Sequence, residues 1–347
     1  MLLKKARKRI IQRQIPEFWV GNYEKYLNII NKLDKLEVQV LTSTPGEKPL
    51  HLIPYGKKEI IESKANYNSA VAAGKPDSYM KKGSREKPVI CFLGPVHGHE
   101  VEGLTGLMNL INILETGADL RGKKRKKIKD LAQKCRLLII PLGNPDGFYR
   151  FEPQSLKNMK TKDLRFWGQG TWSDGSFCGY PDCKQVHPMT ENQTEFLGCY
   201  YNDDGINIMH DEFFAPMAKE TKAISKVIRD EGPDIIISLH SHEAVPAILK
   251  TGCIPKDKIK DLIKFTKCFY TSLKKANLPY NDTIFNSKEK NNKFNLVSAL
   301  YHMSGALSAT FENPHGLKDK CQVSFDDILE IQLTLFIKVM EFAIEMY

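Results

Sequence analysis

The sequence lacks several features that would place the protein in a membrane or divide it into domains. No stretch reaches the roughly 18 consecutive apolar residues that a membrane-spanning helix needs. The apolar pair Ile10-Ile11 is far too short to be the core of a secretion signal. Neither an internal repeat nor a linker is recognisable. We therefore expect a protein without a membrane span, with a single domain over residues 1–347 that includes a basic N-terminal extension, residues 1–24.

Cysteine pairing is not indicated either. The eight cysteines are scattered over the 347 residues and no export signal accompanies them, which favours free thiols and a cytoplasmic location. One group is an exception to the scatter: Cys178, Cys183, His187 and Cys199. Their spacing is compatible with a structural metal site or a disulfide, although free thiols in an irregular loop are the favoured interpretation.

The net charge of +10 raises the question of nucleic-acid binding. The densest basic run covers residues 123–127, and no aromatic residue that could stack on a base is interleaved with it. Such runs are usually solvated faces of helices or loops. We therefore predict that nucleic acid is not a partner.

One segment indicates a metal site. Residues 88–93 form an apolar run typical of a buried strand, and His97 and Glu100 follow it immediately. Apolar residues at helical spacing come next, from Val101 to Leu114. The two polar side chains should therefore lie on a turn at the carboxyl end of a strand, where α/β sheets collect their ligands. An imidazole and a carboxylate can bind one Zn²⁺, but catalytic zinc usually takes three protein ligands.

His240 is the candidate for the third ligand. It follows a second apolar run, residues 233–239, and two parallel strands can bring their exit turns together. Taken alone, an H-x-x-E pattern often arises by chance, and a histidine at a strand end is more often a hydrogen-bonded structural residue. Because both follow buried strands, we predict that His97, Glu100 and His240 form a single zinc site.

The order of the elements predicts the fold class. Apolar strand patterns recur at residues 136–142 and 308–312, and they alternate with helical patterns. A final helix is expected from about Asp326 to Met346, with acidic residues in its first turn. We predict a single α/β domain with a central mixed, largely parallel twisted sheet flanked by helices.

Five segments occur in an order that resembles the zinc carboxypeptidases of the M14 family. They are His97-Gly98-His99-Glu100, Asn144-Pro145-Asp146-Gly147, Arg165-Phe166-Trp167, Leu239-His240-Ser241 and Ala309-Thr310-Phe311-Glu312. The resemblance extends from about residue 25 to the C-terminus. It implies one Zn²⁺ per chain, Glu312 as general base and acid, and Arg165 as the donor that stabilises the oxyanion. Surface or paired side chains are the structural alternatives for both residues.

The segment that holds the substrate's terminal carboxylate in this family departs from the pattern. Its best match begins at Asn207, and Met209 and His210 replace the expected asparagine and arginine. An imidazole binds a carboxylate less firmly than a guanidinium and is expected to gain charge near pH 6.5. Tyr301 matches the family's substrate-capping tyrosine, with a packed core tyrosine as the alternative. Asn207, His210 and Tyr301 are the predicted substrate-binding residues.

The predicted activity is hydrolysis of a peptide bond, at the C-terminus, or of a related amide bond, so that the partner is a peptide or a small amide. An N-acyl amino acid amidohydrolase of the aspartoacylase and succinylglutamate desuccinylase type shares the same opening motif and is the first alternative. A non-catalytic peptide- or sugar-binding relic of the fold is the second, but both histidines and both glutamates are retained. No oligomeric state follows from the sequence.

Overall fold

The computed structural model describes residues 2–10, 14–61, 65–79, 85–286 and 293–346. The strands are β1 (Gln39–Ser43), β2 (Pro49–Tyr55), β3 (Val89–Leu93), β4 (Arg136–Ile140), β5 (Gly170–Trp172), β6 (Thr194–Leu197), β7 (Ile235–His242), β8 (Ala247–Leu249) and β9 (Leu307–Pro314). The helices are α1 (Leu2–Arg7), α2 (Tyr23–Ile30), α3 (Tyr67–Ala72), α4 (Val101–Thr116), α5 (Lys126–Ala132), α6 (Pro145–Arg150), α7 (Thr161–Gln169), α8 (Lys219–Glu231), α9 (Lys256–Lys275), α10 (Leu296–Ser304) and α11 (Phe325–Met346).

Within the described residues, the main sheet has seven strands in the order β1-β2-β4-β3-β7-β9-β8. The central strands β4, β3, β7 and β9 run parallel to one another, whereas β1, β2 and β8 pair antiparallel at the two sides. The strands β5 and β6 form a separate two-stranded sheet. This arrangement confirms the predicted fold class.

The sheet lies between two apolar cores. On β3, Ile90 and Phe92 contribute to one core, which also contains the buried faces of α4, α9 and α11. The alternate residues Val89, Cys91 and Leu93 contribute to the other core, under α8 and α10. A strand that is buried on both faces reads as a continuous apolar run rather than an alternating one, which explains why these strands were visible in the sequence.

The N-terminal extension packs against the domain. Phe18, Trp19 and Val20 are buried in the larger core, and the Trp19 indole donates to the carbonyl of Gln154 over 2.9 Å. The guanidinium of Arg7 pairs with Glu152. The extension is therefore attached to the core by apolar burial as well as by its basic side chains.

The basic run at residues 123–127 makes intramolecular ion pairs. Arg125 contacts both Asp119 and Glu330, and Lys127 pairs with Glu341 at 2.7 Å. These contacts join the start of α5 to α11. Among the residues that the structure describes, no helix is both long and apolar enough to cross a bilayer.

Candidate metal centre and active-site cavity

The parallel pairing of β3 and β7 brings the two histidine segments together. Leu93 at the end of β3 lies opposite Ser238 in β7, so the turn that follows Leu93 leaves the sheet beside His240. That turn carries His97 and ends at Glu100, the residue that precedes the first turn of α4. A strand exit and a helix N-terminus thus place three side chains at the same edge of the sheet.

Both imidazoles face the same carboxylate. His97 Nδ1 lies 2.9 Å from Glu100 Oε1, and His240 Nδ1 lies 2.9 Å from Glu100 Oε2. All three side chains are buried. In the described part of the chain, these residues are the only group of His, Cys, Asp or Glu side chains with three or more ligand atoms within 4.8 Å of one another. Two nitrogen donors and one carboxylate form the donor set that catalytic zinc prefers, so the residues fit this metal.

The glycine of the metal turn permits a close contact with the Asn-Pro-Asp-Gly segment. A Cβ atom on Gly98 would lie 2.0 Å from the carbonyl carbon of Gly147. The Asn144 side chain accepts a hydrogen bond from Gly147 N over 2.9 Å and donates to the carbonyl of Val96 over 3.2 Å. The segment that follows β4 therefore supports the turn that carries His97, which gives it a structural role.

Glu312 lies beside the three candidate ligands. In the parallel pairing of β7 and β9 it is directly opposite His240. Burial raises the pKa of Glu312 to about 7, although the nearby His240 opposes this shift. A carboxyl group in this range can both accept and return a proton near neutral pH.

The four residues open into one cavity of about 1120 Å³. Arg165 also lines it, from the exposed side of α7. His210 and Met209 line it from a short 3₁₀ turn, Ile208–His210. The structure therefore brings six sequence-predicted site residues to the same cavity: His97, Glu100, Arg165, His210, His240 and Glu312.

The family model for zinc carboxypeptidases, Peptidase M14, matches residues 31–335. The chain belongs to this family. The predicted family and enzyme class are thereby confirmed, and the protein is a zinc carboxypeptidase-like hydrolase. The family depends on zinc, in agreement with the cluster of His97, Glu100 and His240.

Solved structures of metallo-carboxypeptidases share the fold. One from Burkholderia cenocepacia is 14% identical, with a TM-score of 0.60 over 95% of this chain and 72% of that chain. One from Pseudomonas aeruginosa, bound to (2-guanidinoethylmercapto)succinic acid, is 13% identical, with a TM-score of 0.52 over 95% and 71%. A carboxypeptidase A from Helicoverpa armigera is 11% identical, with a TM-score of 0.53 over 99% and 80%. A comparison with curated proteins gave no match.

Two predicted substrate-binding residues of this carboxypeptidase family member lie away from the cavity. Asn207 is buried, and its side chain accepts a hydrogen bond from Met209 N, so that it caps the 3₁₀ turn. The Tyr301 hydroxyl contacts the hydroxyl of Tyr67 in a separate buried cluster that includes Tyr79. Neither residue is among the described residues that line the cavity. The placement of Tyr301 corresponds to the packed structural alternative, whereas the Asn207 side chain is engaged in a local hydrogen bond.

His210 reaches the cavity but is not the expected cation. Burial lowers its pKa to about 3, and the positive charge of Lys184 adds to this effect. The expectation that His210 gains charge near pH 6.5 is therefore wrong. The sequence could not reveal this, because the surrounding groups come from other segments of the chain.

Two side chains that line the cavity were missed in the sequence. The Tyr200 ring stacks on His97, with 4.1 Å between ring centroids and 23° between planes, and it covers one face of a candidate ligand. Lys184 extends into the cavity from a 3₁₀ turn, Asp182–Lys184. Neither belongs to a motif with a recognisable spacing. The one available signal was that Lys184 has no acidic residue four positions before or after it that could pair with its charge.

The cysteine group next to this region consists of free thiols. Cys178, Cys183 and Cys199 are all buried and unpaired with one another. The fourth member, His187, accepts a hydrogen bond from the backbone of Asn207 over 2.9 Å. These contacts agree with the interpretation of an irregular loop stabilised by burial.

Proposed function

We propose that this chain is a metallo-carboxypeptidase that hydrolyses the C-terminal peptide bond of its substrate, with one zinc ion held by His97, Glu100 and His240. The observation that supports this proposal is the pairing of Glu312 with His240 across β7 and β9, which places a proton-transfer group beside the metal ligands in one cavity. A general base must lie within reach of the water that it activates.

The roles of the residues follow from their chemistry. When bound, zinc polarises the scissile carbonyl and lowers the pKa of a coordinated water from 15.7 to about 7. Glu312 accepts the proton of the attacking water and delivers it to the leaving nitrogen. Burial raises the pKa of this carboxyl group, whereas the charge of a bound zinc ion would lower it, and these opposing effects favour a group that can both accept and return a proton. Tyr200 packs against His97 and holds the ring in place.

Arg165 is proposed to stabilise the negative charge that develops on the carbonyl oxygen. It lines the cavity, and the described residues include no side-chain hydrogen bond or ion pair that would hold its guanidinium elsewhere. We expect Arg165→Ala to lower kcat far more than it raises KM, by about 2.7–4 kcal/mol in the transition state. Steady-state kinetics measure this split.

A matched control for Arg165 is available on the same helix. Lys162 is exposed on α7 and is not among the described residues that line the cavity, so Lys162→Ala should leave kcat within about twofold of wild type. An unchanged kcat with a raised KM in Arg165→Ala would instead make Arg165 a substrate-binding residue.

The amidohydrolase alternative differs in the size of its substrate. A cavity of about 1120 Å³ exceeds the range of about 300–1,000 Å³ typical of small-molecule sites, which favours a peptide over a single N-acyl amino acid. Peptides with blocked N-termini and a panel of N-acyl amino acids should be assayed in parallel. We expect release of C-terminal residues from the peptides, loss of this activity with a chelator and recovery with added zinc. Turnover of N-acyl amino acids alone would favour the alternative.

A further inference from the structure

Lys184 is a cation at the wall of the cavity. Its side chain is half-buried and lines the same cavity as the metal ligands. Its ammonium group lies 4.5 Å from the centroid of the Tyr180 ring, a cation–π distance that orients the side chain. Among the described residues, no carboxylate forms an ion pair with Lys184.

The charge of Lys184 lies in the cavity of the candidate metal ligands. Lys184, His97, His240 and Glu312 all line this cavity. An anion bound by Lys184 would therefore occupy the same cavity as the candidate ligands and Glu312.

Two other cations, Arg150 and Lys250, already have partners. Arg150 donates to the carbonyls of Gly198 and Tyr201 and pairs with Asp203, so it is not available to a substrate. The ammonium of Lys250 donates to the carbonyl of Asn286 over 3.1 Å. Arg165 is assigned to the oxyanion in the proposed function.

We propose that Lys184 binds the terminal carboxylate of the substrate and so determines the specificity of the enzyme for a free C-terminus. Met209 and a neutral His210 stand where the family has asparagine and arginine, so this part of the cavity lacks a guanidinium. Lys184 would supply a positive charge instead, and the Tyr180 ring would support its ammonium from the opposite side. This inference rests on the proposed carboxypeptidase function. An ammonium is a point charge that does not require bidentate geometry, so it can recognise a carboxylate from a different segment of the chain.

The test compares matched substrates that differ only in the terminal group. The best peptide from the functional assay is prepared as a free acid and as its C-terminal amide, and kcat/KM is measured for both with zinc-loaded enzyme. The wild type should prefer the acid by on the order of 10²-fold, because an amide leaves the half-buried charge of Lys184 unpaired. Lys184→Met should reduce this preference about tenfold or more, mainly through KM, since the contact is made in both ground and transition states.

Two variants serve as controls. Lys184→Arg retains the positive charge and should keep the preference within about threefold of wild type. Lys250→Met removes another cavity-lining cation that already has a partner and should have a similarly small effect. The preference should also stay within about threefold between pH 6.5 and 8, because His210, with a pKa of about 3, remains neutral over this range.

A binding measurement separates this inference from the proposed function. The ligand is the free amino acid released from the peptide or, if none is released, the C-terminal amino acid of the tested peptide. This amino acid and its amide are titrated separately into the zinc-loaded protein by calorimetry. In one outcome the wild type binds the acid more tightly than the amide, Lys184→Met loses this difference, and no peptide is cleaved. That outcome would overturn the carboxypeptidase function and support the anion site. A wild-type preference retained in Lys184→Met, or a preference that grows as the pH falls, would overturn the role of Lys184.

Discussion

Replacing His97 or His240 with alanine should abolish zinc binding and reduce turnover to background. In the proposed site each imidazole supplies one of three protein donors, and catalytic zinc is usually held by three protein ligands and a water. Two donors would then remain, the carboxylate of Glu100 and one imidazole, which lie 2.9 Å apart in the structure. Two protein donors are too few to hold the metal. Metal analysis after dialysis should give about one zinc per wild-type chain and less than about 0.1 in either variant.

His302 provides a matched control for the loss of a histidine. Its Nε2 atom contacts the carbonyl of Cys253 over 2.8 Å, and it does not line the cavity among the described residues. His302→Ala should therefore retain full zinc occupancy. The variants His97→Ala and His240→Ala should also be prepared with Cys178 and Cys183 replaced by serine, so that thiols do not contribute metal. Full occupancy in either variant would contradict the assignment of these ligands.

Glu312→Gln should retain the fold and the zinc ion but lose about 10²–10⁴-fold in kcat. Glutamine has the same shape and can accept hydrogen bonds, but it cannot exchange a proton between water and the leaving nitrogen. Glu312 is half-buried at the cavity wall and burial raises its pKa to about 7, so removal of its charge should not destabilise the strand. Single-turnover kinetics with metal analysis of the same sample measure the effect.

Glu243→Gln is the control for a second carboxylate at the cavity. Glu243 lines the cavity but pairs with Lys320 at 3.2 Å, near the surface. Its replacement should change kcat by less than about threefold, because surface ion pairs contribute little. A Glu312→Gln enzyme within a few-fold of wild type would show that another group transfers the proton.

The cluster of candidate metal ligands was predictable because strand exits are visible in a sequence. A strand of a parallel sheet is buried on both faces, so β3 and β7 appear as continuous apolar runs, and the polar residues that follow them mark the edge of the sheet. The parallel pairing of the two strands then brings His97 and His240 together without further information. Glu312 was predictable for the same reason, from the end of β9.

The side chains that line the rest of the cavity were not predictable in this way. Asn207 and Tyr301 match the family pattern by position, yet the first caps a turn and the second packs against Tyr67. Side chains with hydrogen-bonding groups serve local capping and buried packing as readily as ligand binding, and the sequence does not distinguish these uses. Only the positions of the neighbouring loops show which side chains face the cavity.

By itself, the sequence determined the α/β fold and the three candidate metal ligands, because the spacing of apolar residues along the chain indicates which segments are buried strands and in what order they occur. The tertiary structure decided the electrostatics of the cavity. It placed Lys184 near His210, two residues from separate segments of the chain, and buried the imidazole so that its pKa falls to about 3. Charges interact through space over distances that sequence separation does not measure, and desolvation depends on everything that surrounds a group.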